Sequence, residues 1–143
     1  IVADKTARFA FPELRLGLVP GFGGIPRLKR DLGNAVVRDL LLTGRSLGAE
    51  RAHQIGLVSQ VVAEGEALAI AVRTAEQTAR FAPFTVAAAK RFIKKDLSAE
   101  LAEEKRLFLE LWRLPPVEAA LAHFDADTSA MPYLPAPPNG GPA

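Results

Sequence analysis

The 143-residue chain has no cysteine and only two histidines, His53 and His123. Without cysteine there is no disulfide, no thiolate metal site and no thiol nucleophile. With two histidines far apart in sequence, a His-based metal site is not expected either. Neither sign of charge dominates: the formal net charge is +2, and basic residues alternate with acids. That pattern argues against a nucleic-acid surface. No apolar run approaches the roughly 18 residues of a membrane span. The expectation is a cytoplasmic protein with no membrane or nucleic-acid partner and no bound cofactor or metal.

What the chain does contain is ordinary globular material. Apolar residues make up 49% and charged residues 24%, enough for a core. The chain opens on Ile1-Val2-Ala3-Asp4, which reads as the end of a strand already under way and suggests the C-terminal part of something longer.

The stretch from Phe9 to Leu28 carries the most information. It reads FAFPELRLGLVPGFGGIPRL. Glu13 follows a proline inside an apolar run, where a lone carboxylate is costly to bury unless it is paired or needed. Gly21, Gly23 and Gly24 allow positive φ and close backbone approach. Pro26 suits a first helical turn. The stretch therefore predicts an acid near a glycine turn that opens a helix, with free N–H groups directed at an anion, a water or a polarised oxygen. A plain strand, turn and helix with a solvated Glu13 fits the same spacing. The turn is not a dinucleotide fingerprint or a P-loop, because it lacks the third glycine and the Gly-Lys-Ser/Thr ending.

In chain order, strands are expected at 1–3, 8–11 and 57–62. Helices are expected at 25–32, 35–42 (capped by Asn34), 49–55, 66–81, 84–95, 99–112 (capped by Ser98) and 117–124. Leu101, Lys105, Phe108, Leu109 and Trp112 bracket the apolar face of the 99–112 helix. Phe108 and Trp112 are read as core or interface packing, and His53 and His123 as structural. Lys90, Arg91, Lys94 and Lys95 suit a helix C-terminus. From Asp125 the composition shifts to a Pro/Gly-rich tail that cannot pack regularly.

Several motifs together resemble the crotonase superfamily, the enoyl-CoA hydratases and isomerases. They are Ala3-Asp4-x-x-Ala7-x-Phe9, Phe11-Pro12-Glu13-x-x-Leu16-Gly17, Pro20-Gly21-x-Gly23-Gly24, Leu42-Thr43-Gly44-Arg45, Ala49-Glu50-x-Ala52 and Gly56-Leu57-Val58, followed by Ala88-Ala89-Lys90 and Glu118-Ala119-Ala120-Leu121-x-x-Phe124. The resemblance spans about residues 1–124. It implies an α/β fold, a crotonase-like spiral of ββα turns whose C-terminal core part is residues 1–80. A helical trimerisation region at 81–124 and the tail at 125–143 follow. The implied assembly is a homotrimer or hexamer.

The resemblance further implies acid/base chemistry on an acyl thioester. Two backbone N–H groups grip the thioester oxygen, and two glutamates handle water and proton. Glu13 matches the second glutamate, and Gly21 the glycine whose backbone sits beside the water. The first glutamate and the oxyanion donors belong to an upstream part of the same protein. Hydration of an enoyl-CoA, Δ3-Δ2 isomerisation and dehydration on an acyl carrier protein are the implied reactions. A non-catalytic oligomerising fragment is the alternative from another class. Asp125-Ala126-Asp127 stands where the family carries a basic CoA-contacting stretch, which leaves CoA and carrier protein both open.

Overall fold

The computed structural model describes residues 1–93 and 96–128. Lys94, Lys95 and residues 129–143 of the expected tail lie outside the described residues. The elements are β1 (Val2–Asp4), β2 (Arg8–Phe9), a 3₁₀ turn (Glu13–Leu16), α1 (Gly24–Leu32), α2 (Asn34–Thr43), β3 (Leu47–Gly48), α3 (Ala49–Gln54), β4 (Gln60–Val62), α4 (Ala67–Thr78), α5 (Pro83–Ile93), α6 (Ser98–Trp112) and α7 (Pro115–Ala126). They fall into two compact units, each drawn from two separate stretches of chain.

The first unit comprises residues 1–9 and 47–97. β1 runs parallel to β4, pairing Val2 with Gln60, Ala3 with Val61 and Asp4 with Val62. β2 pairs antiparallel with β3. The buried cluster is Ala3, Ala49, Ala52 and Val58, flanked by Phe9, Leu47, Leu57 and Val61. Three of these four side chains are single methyl groups, so the start of α3 can approach the strands closely. The strand expected over 57–62 begins only at Gln60. The reason is local: the N–H groups of Leu57 and Val58 both donate to the Ala52 carbonyl, closing α3 rather than joining a ladder. His53 Nδ1 donates to the Val58 carbonyl at 2.8 Å, a structural bond. Alanine-rich α4 lies against β1, and Thr74 and Thr78 return their hydroxyls to carbonyls one turn earlier at 2.9 Å.

The second unit comprises residues 10–46 and 98–143, described as far as 128. α1 packs on α2 and α6, α6 on α7, and α7 on the 3₁₀ turn. Leu18, Val37, Leu40, Val117 and Ala120 are buried here. Burying each leucine or valine contributes about 1.5–3 kcal/mol. Pro115 and Pro116 form the first turn of α7 behind an extended Leu114, where a missing N–H costs nothing.

Three expectations are corrected. The strand expected at 8–11 ends at Phe9, because the chain takes helical angles at Pro12 and enters a 3₁₀ turn over Glu13–Leu16. Asn34 is not a side-chain cap: Gly33 takes the N-cap position at φ 77° and also closes α1. The α6 face is not the simple apolar stripe expected. Its buried residue is Glu104, while Lys105, Leu109 and Trp112 are exposed.

Candidate active site

Glu13 is held by its backbone. Pro12 adopts helical angles (φ −81°, ψ −4°) just ahead of it. The Arg15 N–H donates to the Pro12 carbonyl, and the Leu18 N–H to the Glu13 carbonyl at 3.1 Å. Gly17 closes the turn at φ 74°. Arg15 is directed elsewhere, with Nη2 donating to the Gly44 carbonyl at 2.9 Å. The Glu13 side chain is half-buried. Its Oε2 is buried and has no hydrogen-bond partner, the one such side-chain atom among the described residues. Buried polar atoms are nearly always bonded, and an exception calls for a reason.

Beyond Leu18 and Pro20, both buried, the chain enters the glycine turn. Gly23 has φ +86° and stands at the N-cap of α1. No side chain caps this helix locally. Its orphan N–H groups, the expected anion seat, are taken by a residue that sequence reasoning missed. The carboxylate of Glu104 on α6 accepts from the Gly23 N–H and, at 2.9 Å, from the Ile25 N–H. Glu104 is only 5% exposed. Its neighbours Glu100, Glu103, Lys105 and Arg106 are charged and exposed, so nothing in the local pattern singles it out. A long-range cap leaves no signal beyond an acid on the inward face of a helix.

Gly21 lies against Phe108. A Cβ at position 21 would fall 2.7–2.8 Å from Phe108 Cδ2 and Cβ, so only glycine lets the chain pass. The Phe108 ring continues into a short aromatic row, 5.8 Å from the exposed Phe22 ring and 5.6 Å from Trp112.

Both expected site residues thus lie in the second unit. Gly21 is brought to α6, and Glu13 is fixed by its own 3₁₀ turn, with no partner for Oε2. A cavity of about 380 Å³ in this unit is lined by Val19, Ile25, Pro26, Leu107 and the acids of α6, and another of about 790 Å³ in the first unit by residues of β1, α4 and α5. Neither is lined by Glu13 or Gly21.

Comparison with known proteins bears on this geometry. Residues 1–116 match the family model described as enoyl-CoA hydratase/isomerase. A probable enoyl-CoA hydratase of Rhizobium meliloti (strain 1021) is 40% identical over 134 residues, covering 91% of this chain and 52% of that protein. The 2,3-dehydroadipyl-CoA hydratase of Escherichia coli (strain K12) is 39% identical over 112 residues, 76% of this chain and 44% of that protein. Among solved structures, carnitinyl-CoA hydratase from Mycobacterium avium superposes with a TM-score of 0.80 at 30% identity, covering 87% of this chain and 51% of that one. The chain spans about half the length of the curated relatives it matches. By family model, sequence and fold together, the chain belongs to the enoyl-CoA hydratase/isomerase family of the crotonase superfamily.

Proposed function

We propose that this chain forms part of a hydratase that adds water to, or removes it from, an enoyl-CoA thioester, with Glu13 exchanging the proton. The observation that carries the reading is the orphaned, buried Oε2 of Glu13 on a backbone-fixed turn. An acid whose oxygen has no protein partner is free to meet a water or a substrate proton. The relatives support the substrate class, being named for hydration or dehydration of CoA esters.

Hydration places water oxygen on the β-carbon and a proton on the α-carbon. Negative charge gathers meanwhile on the thioester oxygen and needs N–H donors. The Gly23 and Ile25 N–H groups are occupied by Glu104. In this reading the donors, like the first glutamate, come from another part of the same protein. Assembly into a homotrimer or hexamer belongs to the proposal as well. Its support is the exposed apolar set Phe84, Phe92 and Ile93 on α5.

The test is hydration of crotonyl-CoA by the natively purified protein and its Glu13→Gln variant. Turnover should fall by about 10²–10⁴-fold, the usual worth of a positioned acid or base. A variant within about threefold of wild type would remove Glu13 from the mechanism. Isomerisation of a 3-enoyl-CoA without hydration would assign the isomerase chemistry instead, and preference for a carrier-bound acyl group would replace CoA.

A further inference from the structure

Glu104 is buried, whereas the other acids of α6, Glu100, Glu103 and Glu110, are exposed. Its burial is costly, since a carboxylate out of water must be repaid by hydrogen bonds. Its repayment is specific: both oxygens are used, Oε2 by the Gly23 N–H and Oε1 by the Ile25 N–H. These groups stand at the N-terminus of α1, where negative charge is favoured. One turn further along α6, Phe108 closes on Gly21. The turn from Gly21 to Ile25 is therefore held by α6, about 80 residues away in sequence, together with one local bond, from Arg27 Nη1 to the Phe22 carbonyl at 2.9 Å.

We propose that Glu104 is a positioning residue, which together with Phe108 fixes where the Gly21 backbone stands for the proton exchange at Glu13. This rests on the function proposed above and on Gly21 standing beside the proton exchange at Glu13, as the family resemblance implies. Glu104 touches no reacting atom. It acts by holding the first turn of α1 rigid, so that the Gly21 segment cannot drift from the geometry the reaction needs. Misplacement by about 1 Å at a site of this kind costs on the order of 10²-fold in rate.

Glu104→Gln keeps the side-chain shape but turns an amide NH₂ toward one of the two N–H groups, so one of them loses its acceptor. The experiment measures kcat and KM for crotonyl-CoA hydration in the natively purified protein. It compares wild type, Glu104→Gln, Phe108→Ala, Glu13→Gln and the Glu13→Gln/Glu104→Gln double variant, with thermal midpoints recorded alongside. The expected result is a kcat lowered about 10- to 100-fold in Glu104→Gln with KM within about threefold, and a loss of under about threefold when the same change is made on Glu13→Gln. That non-additivity is what a merely structural role would not produce. A lowered midpoint with kcat unchanged, or the same fold-loss in both backgrounds, overturns the proposal. Should Glu104→Gln fail to fold, Phe108→Ala carries the test: its kcat must fall with KM held, and an unchanged kcat overturns the proposal. A silent Glu104→Gln beside an inactive Glu13→Gln refutes Glu104 alone. Full turnover in Glu13→Gln refutes the reading of Glu13 and this proposal with it.

Discussion

Replacing Glu13 by methionine should make the protein more stable while abolishing its activity. Glu13 Oε2 is buried and unbonded, and leaving such a group unsatisfied costs about 1–3 kcal/mol. The side chain as a whole is only half-buried, so the lower part of that range applies, about 1–2 kcal/mol. Methionine has nearly the same length and volume and carries no charge to desolvate. The Glu13 backbone bonds, from Leu18 N–H to Glu13 carbonyl and across the 3₁₀ turn, are untouched. For a chain of this size, 1 kcal/mol moves the thermal midpoint by about 3–5 °C, so a rise of roughly 3–10 °C is expected. Thermal unfolding followed by circular dichroism measures the shift, and crotonyl-CoA hydration measures the activity. Opposite signs in the two assays are the mark of a group kept for chemistry at the expense of the fold. A Glu13→Met variant that melts below wild type would show that Oε2 is satisfied in the folded protein, and the case for Glu13 as an idle, reactive acid would collapse.

Gly21→Ala should both destabilise and slow the protein, because the new methyl collides with the Phe108 ring at a cost of about 1–3 kcal/mol for overpacking. The double variant Gly21→Ala/Phe108→Ala should regain part of the lost midpoint, and failure to do so would place the clash elsewhere. Hydrogen bonds from the Thr6 hydroxyl at 2.6 Å, the Gly65 N–H and the Thr6 N–H hold the Asp4 carboxyl below its ordinary range. A carboxyl depressed on folding stabilises the protein above its unfolded pKa of about 3.9 and loses that contribution as pH falls toward the folded value. Thr6→Ala should move the Asp4 titration, followed by carboxyl NMR, upward, and Asp4→Asn should remove this component of acid destabilisation. Phe92 on α5 is 94% exposed. If α5 is covered by a neighbouring subunit, Phe92→Glu should lower the mass seen by light scattering, and an unchanged mass would put the interface elsewhere.

Much of the helical content was legible because it rests on local signals. α2 follows from its periodic apolar residues between Gly33 and Gly44, and α4 and α5 from an alanine-rich run broken at Ala82-Pro83. Glu13 and Gly21 were legible as candidates through the pattern around them, a proline before the acid and glycines in the turn. The short strands were less so. Leu57 and Val58 look like strand residues, yet their N–H groups are claimed by Ala52, a competition between a helix end and a ladder that composition does not encode. The same holds at Asn34, displaced from the cap position by a glycine that can adopt the left-handed angle.

The chain's own order of residues determined its family, the positions of most helices and the choice of Glu13 and Gly21, since each depends on neighbours within a few residues. Tertiary structure alone decided what fills the helix N-terminus at the glycine turn. Glu104 reaches it from about 80 residues away, and only packing α6 against α1 selects that carboxylate from a run of acids that look alike in one dimension. The unpartnered state of Glu13 Oε2 was likewise decided by packing, because whether a polar atom is satisfied depends on everything that surrounds it.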